Sequence, residues 1–264
     1  MRNRHNIDCM AESAAAVSIG VKSAYARSKR RDLMELAVAY GLILLVIWTP
    51  RPFQRFLWVA AAGAVAAMMC LSHDGLDALG MRRKNFFRSL WVVGAALVIA
   101  AMAVWVSSSL HPLSLPAPST ADPGDWNEFL SRAKLLVKTY WGYALWTFVQ
   151  QFLLQGFFLL RLLRLLPGPK SAGFAAAGLF ALAHLPNPIL TVVTLVWGFA
   201  ACMLFLRYRN LHTLSMAHAI FGIALAIAVP GPVIRNMRVG LGYLTYGHRY
   251  TVPLPQPQRP DRIH

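Results

Sequence analysis

Acidic residues are scarce in this sequence. Its 264 residues include 10 Asp and Glu against 26 Lys and Arg, and none of the ten lies between Glu128 and Asp261. That long stretch therefore has no carboxylate to take a proton as a general base near neutral pH. It also has no acid inside an apolar run of the kind that couples ions to transport. Charge of either sign is low, at 14%, and 57% of the residues are hydrophobic. Soluble domains run at about 25% and about 45–50%, so a soluble domain is disfavoured. Cysteine is scarce too: Cys9 stands alone, and Cys70 and Cys202 lie within apolar runs where the thiol acts as a small hydrophobe. A disulfide framework is excluded. No internal repeat is visible, which counts against the inverted-repeat transporters.

Long apolar runs are abundant. About 20 predominantly apolar residues cross a hydrocarbon core roughly 30 Å thick. Such windows recur at 33–50, 56–72, 90–110, 140–160, 171–185, 188–205 and 211–230. The pattern predicts an all-α, polytopic transmembrane helical bundle of about seven spans. The window 171–185 is short and rich in Ala and Gly, which predicts a close-packed inner helix rather than a lipid-facing one. The formal net charge of +16 does not point to nucleic acid, because the basic residues cluster between apolar runs with no soluble domain left to present them. The positive-inside rule accounts for most of them. Basic residues crowd the first 31 positions, Arg82, Arg83, Lys84 and Arg88, then Arg161, Arg164 and Lys170, then Arg207 and Arg209, whereas the loop 112–129 carries Asp122, Asp125 and Glu128.

These charges predict a multi-pass protein of the cell membrane with a cytoplasmic N-terminus. The expected organisation is a basic tail over 1–32, a helical membrane domain over 33–230 and a basic, Pro-rich C-terminal tail over 231–264. The first 32 residues are too polar, with Glu12, Ser13, Ser18 and Gly20, for the core of a signal peptide. The C-terminal tail fits less well. Seven spans place it outside, yet it carries Arg235, Arg238, Arg249, Arg259 and Arg262.

Polar groups inside lipid are costly, which makes intramembrane polar residues the functional candidates. Three sets stand out. In the fourth window, Thr147, Gln151 and Gln155 fall on one helical stripe, with Gln150 one step round. The bland reading is glue between helices, since amides hydrogen-bond across membrane helices for about 1 kcal/mol. The second set is Phe180 with His184, followed by Leu-Pro-Asn187-Pro188, and the third is His218 with Gly222 four residues on. A lone histidine in a span is usually a packing partner. Two of them beside a glutamine cluster point to one shared polar cavity.

In this order, the three sets resemble the CPBP family of intramembrane proteases, the CAAX prenyl proteases and bacteriocin-processing proteins. The resemblance covers about 140–228. The family's Glu-Glu-x-x-x-Arg is replaced by Gln150-Gln151-x-x-x-Gln155; Phe180-x-x-x-His184 matches in full; His218-x-x-x-Gly222 keeps the histidine and loses the amide. The resemblance implies that the first glutamate position activates water while the histidines position it and stabilise the oxyanion. A glutamine amide cannot take that proton. Gln150, Gln151, Gln155, His184 and His218 are the motif-equivalent catalytic positions. The acid pair and the arginine are replaced together, so no unpaired charge is stranded in the bilayer. No cofactor is expected. Two histidines without a carboxylate or thiolate make a poor zinc site, because catalytic zinc takes three protein ligands.

Three functions stay open: a peptidase fold that binds membrane-embedded or lipidated peptide segments without cutting them, a divergent active endopeptidase using His184 or His218, and a transporter or channel subunit. Expected partners are the lipid bilayer and such a peptide or protein, not nucleic acid. Arg161 and Arg164 either snorkel to the headgroups or, for Arg161, reach the cavity in place of the motif arginine. Asn187 is a candidate source of the amide that Gly222 lacks. Gly156, Gly173, Gly178 and Gly198 are expected to permit close helix approach.

Overall fold

The computed structural model describes residues 28–72, 78–81, 85–110 and 126–246. The tail 1–27, Arg82 to Lys84, the loop 111–125 with Asp122 and Asp125, and everything from 247, including Arg249, Arg259 and Arg262, lie outside the described residues. Helix α1 runs over 28–48. It is followed by α2 (Gln54–Ser72), α3 (Phe86–Leu110) and α4 (Trp126–Gln151). A π-helical segment (Phe152–Leu159) prolongs α4 into α5 (Leu160–Leu165). Then come α6 (Pro169–Leu182), α7 (Pro188–Tyr208), α8 (Leu211–Ala228), a 3-10 turn (Arg235–Met237) and the short α9 (Gly240–Leu244). No strand occurs among the described residues, in line with the expected all-α bundle.

Among the described residues, five stretches are long and apolar enough to cross a membrane: Gln54–Ser72, Phe86–Leu110, Val137–Leu165, Pro188–Tyr208 and Leu211–Ala228. They coincide with five of the seven windows. The other two are helical but fall short for different reasons. α1 carries Arg31, Asp32 and Glu35 close to its start, and the helix begins within the stretch expected to be tail. α6 has 14 residues, which at 1.5 Å each give about 21 Å against a core of roughly 30 Å.

Two helix pairs make most of the bundle, α3 along α8 and α6 along α7, with α4 also against α8. α3 and α8 run parallel and are tied near both ends. Thr213 Oγ1 donates to Ser89 Oγ at 3.0 Å, and Ser107 Oγ donates to the Ala228 carbonyl. On α6, Ala172, Gly173, Ala176 and Ala177 are buried on one face. A β-carbon at Gly198 would lie 3.4 Å from Ala177 Cα, and one at Gly173 would collide with Met203, so these two glycines do sit at close approaches. Gly178 faces open space, against expectation, and Gly156 mainly meets Phe152 of its own helix. The opposite face of α6 exposes Phe174 and Leu182, so α6 is half-covered. The innermost span is α8, with 61% of its apolar window buried against 11% for α2.

Local chemistry marks the starts of α7 and α8. Asn187 caps α7 by accepting from the Leu190 amide, with Pro188 in the first turn; Asn210 caps α8 by accepting from the Thr213 amide. The outer surface exposes large apolar side chains, among them Phe56, Val59, Phe87 and Trp105. That pattern suits a chain solvated by lipid rather than water.

Candidate functional site

The predicted stripe on α4 is real, and its members divide between two tasks. Thr147, Gln151 and Gln155 are fully buried. Thr147 Oγ1 donates to the Ala144 carbonyl at 2.8 Å and reaches the Ser215 carbonyl of α8 at 3.3 Å. Gln155 Nε2 donates to Gln151 Oε1, and Gln151 Nε2 lies 2.9 Å from His218 Nδ1 on α8. Gln150, one step round the helix, instead lines a cavity of about 2210 Å³ together with His184 and His218. The π-helical segment begins directly after Gln151 and contains Gln155. A widened turn of this kind is frequent at functional sites.

The direction of the amide chain sets the tautomer of His218. An amide NH2 only donates, so His218 Nδ1 accepts, and its ring is neutral with the proton on Nε2. The Gln155 side-chain carbonyl oxygen is left buried without a partner among the described residues. Run in the opposite sense, the chain would strand the two-donor amide of Gln155 instead, and orphaned N–H groups are the rarer, costlier outcome.

His184 sits in the turn after α6 and is held in the opposite way. Its Nδ1 lies 2.7 Å from the Phe180 carbonyl. A carbonyl only accepts, so Nδ1 carries the proton and Nε2 bears the lone pair in the neutral ring. Phe180 stands against both histidines, edge-on to His184 at 4.8 Å and to His218 at 5.9 Å between ring centres. This gives the Phe-x-x-x-His spacing a physical reason. One helical turn puts the ring beside the imidazole, and the intervening backbone carbonyl fixes its tautomer.

Among the described residues no Asp or Glu lines the cavity, and its charged lining side chains are Arg51 and Arg238. Nor do three or more His, Cys, Asp or Glu gather there as a metal-holding group. The structure places Gln150, His184 and His218 on the lining of one cavity, with Gln151 and Gln155 bonded behind it.

Two expectations fail. Arg161 neither snorkels nor reaches the cavity. It is fully buried, bonded to Glu35 of α1 through Nε at 2.8 Å and Nη2 at 2.6 Å, with its guanidinium 3.7 Å from the Phe157 ring centre. Pairing an arginine with a carboxylate from another helix relieves the cost of burying it. Arg164 likewise grips Asp32 through two bonds at 2.8 and 2.7 Å. Asn187 does not supply an amide to the cavity either. Its side chain is committed to the α7 cap and to the Ile234 and Arg238 carbonyls, at 2.9 and 3.2 Å, which tie down the chain after α8.

Sequence reasoning missed Tyr143, which lines the same cavity. A β-carbon at Gly222 would overlap the Tyr143 hydroxyl. The phenol thus occupies the room that a side chain at 222 would take. The only sequence signal was the missing side chain itself, four residues after His218.

Residues 132–224 match the family model described as Type II CAAX prenyl endopeptidase Rce1-like. No curated protein and no solved structure matches the chain. The matched stretch holds Tyr143, the three glutamines, Phe180, both histidines and Gly222, in the arrangement just described. Residues 132–224 are thus similar to the CPBP/CAAX-protease family, the resemblance that the motif positions carry.

Proposed function

We propose that this protein binds membrane-embedded or lipidated peptide segments in its intramembrane cavity without cutting them. The observation that carries the reading is the state of the motif positions. Gln151 and Gln155 are spent on holding His218, Gln150 stands alone on the wall, and no carboxylate lines the cavity among the described residues. Water activation by the family route needs a proton acceptor near neutral pH, and an amide offers none. The cavity volume of about 2210 Å³ exceeds the roughly 300–1,000 Å³ of ordinary small-ligand pockets, which suits a lipid chain with attached peptide. The basic loops read from the sequence support a cell-membrane location with the N-terminus on the cytoplasmic side.

One observation favours a second reading, slow hydrolysis. His184 presents an Nε2 lone pair and lines the cavity. Loss of a general base costs about 10²–10⁴ in rate, which leaves room for a residual enzyme. One experiment separates the two. The purified protein in lipid nanodiscs is incubated with an S-farnesylated CAAX-type peptide bearing a photoreactive group, and both crosslinking and new peptide termini are measured. Binding without new termini, together with cleavage gained in the Gln150→Glu, Gln155→Arg double variant, is the expected result. Cleavage by the wild type that disappears in His184→Ala would overturn it in favour of the enzyme.

A further inference from the structure

We propose that residues 231–246 are a latched lid over one end of the cavity. The Asn187 side chain is the latch, and a left-handed turn at Arg235–Met237 is the strained element that drives the lid open when the latch lets go. Such a lid governs entry whatever fills the cavity, and so goes beyond the peptide-binding reading.

The segment lies between the cavity and the exterior. Ile234 is 1% exposed, and Met237, Val239 and Leu241 line the cavity with it, whereas Pro232, Val233 and Leu244 are exposed. Thr49, Pro50 and Arg51, just after α1, line the same cavity. A β-carbon at Gly240 would overlap Ile47 near the end of α1, so the segment closes directly against that end.

Arg235, Asn236 and Met237 have φ of +46°, +49° and +56° in succession. Asparagine tolerates this region, but arginine and methionine enter it at a cost, because the β-carbon crowds the following carbonyl oxygen. Such strain persists only where the surroundings over-determine it. Here one side chain from another part of the chain does so. Asn187 Nδ2 donates to the Ile234 carbonyl at 2.9 Å and to the Arg238 carbonyl at 3.2 Å, the two residues that bracket the turn. The Leu185 carbonyl accepts from the Gly240 amide at 2.8 Å. Both anchors belong to the turn 183–187 between α6 and α7, which also carries His184. Other bonds of the segment are internal. Arg235 Nη1 donates to the Tyr243 carbonyl at 2.8 Å, with its guanidinium 4.2 Å from the Tyr243 ring centre, and the Asn236 amide donates to the Gly231 carbonyl at 2.8 Å. These bonds travel with the segment, so loss of the outside anchors frees it as a unit whose turn can relax.

The test uses the full chain in lipid nanodiscs and follows amide hydrogen exchange over 231–246 by mass spectrometry. Asn187→Ser keeps an oxygen to cap α7 but is too short to hold the two carbonyls. Exchange is expected to rise about 10-fold in this variant, the worth of two lost hydrogen bonds. Met237→Gly adopts the left-handed turn without strain, so it should slow exchange about 3-fold, both alone and added to Asn187→Ser. A segment that is merely loose would respond in reverse, since glycine adds freedom to it. Met237→Gly alone tests the strain even where Asn187→Ser fails to fold. Entry is read at Ala61→Cys, a buried position lining the cavity, in a background of Cys9→Ser and Cys70→Ser; Cys202 is fully buried. Its modification by a water-soluble methanethiosulfonate should follow the same order as the exchange rates. Unchanged exchange in Asn187→Ser, or faster exchange in Met237→Gly, would overturn the strained latch. Exchange that rises without faster thiol modification would overturn the lid. The probe is a small reagent, so each of these failures leaves peptide binding standing.

Discussion

The continuous helix built from α4, the π-helical segment and α5 carries two polar seams of opposite character. Near its C-terminal end Arg161 and Arg164 meet Glu35 and Asp32 of α1 in close ion pairs. One to three turns earlier, Gln155, Gln151 and His218 form a chain without formal charge. The charged seam draws its acids from the start of α1 and lies away from the cavity. The neutral seam backs the cavity wall. A buried charge is tolerable when its partner arrives with it, and each such pair costs a second charged residue on another helix. Amides and imidazoles can satisfy one another locally, and they add no charge to the part of the cavity wall they support. The chain thus keeps ion pairs where α1 docks and neutral hydrogen bonds behind the cavity wall.

That contrast can be broken most sharply at Glu35. Glu35→Ala strands the fully buried Arg161 guanidinium and should cost about 3–5 kcal/mol of stability. Glu35→Ala with Arg161→Met removes both charges and should recover most of the loss. Thermal or denaturant unfolding in detergent micelles measures both; a double variant as unstable as the single one would show that the ion pair is not the reason.

The neutral seam should respond more mildly. Gln155→Leu deprives Gln151 Oε1 of its donor but also removes the unpaired Gln155 carbonyl, so the net cost should be about 1 kcal/mol. The sharper readout is the His218 tautomer. Imidazole 15N shifts should show the proton on Nε2 in the wild type and a mixture of tautomers in Gln151→Leu, where Nδ1 loses its donor. A wild-type spectrum with the proton on Nδ1 would reverse the direction of the chain.

The smallest expected effect lies at Gln150, whose side chain bonds to nothing among the described residues and faces the cavity. Gln150→Leu should change stability by less than about 0.5 kcal/mol, as surface-like substitutions do, and alter ligand binding instead. A loss comparable to that of Gln155→Leu would place Gln150 in the structural seam.

Much of the site was legible because two periodicities in the sequence report directly on space. The four-residue spacing of Thr147, Gln151 and Gln155 put them on one buried face, and the four-residue spacing of Phe180 and His184 put ring against ring. The same logic could not find the partner of Arg161. Glu35 is 126 positions away, and nothing local marks the pairing. Tyr143 escaped for the reverse reason. An aromatic near the start of a span reads as an interfacial anchor, and only the empty space at Gly222 on another helix gives it a different place.

By itself, the sequence determined that this is a helical membrane protein, that three polar sets interrupt its apolar spans and that no carboxylate stands among them. Those conclusions follow from composition and helical spacing, which act within a single segment. Only the tertiary structure decided which glutamine faces the cavity, which nitrogen of each histidine carries the proton, and whose hydroxyl fills the gap at Gly222. Each of these is set by a neighbour from another helix or by the backbone carbonyl of a formed turn. Hydrogen-bond direction and steric exclusion are properties of atoms in contact, and a linear sequence does not state which atoms those are.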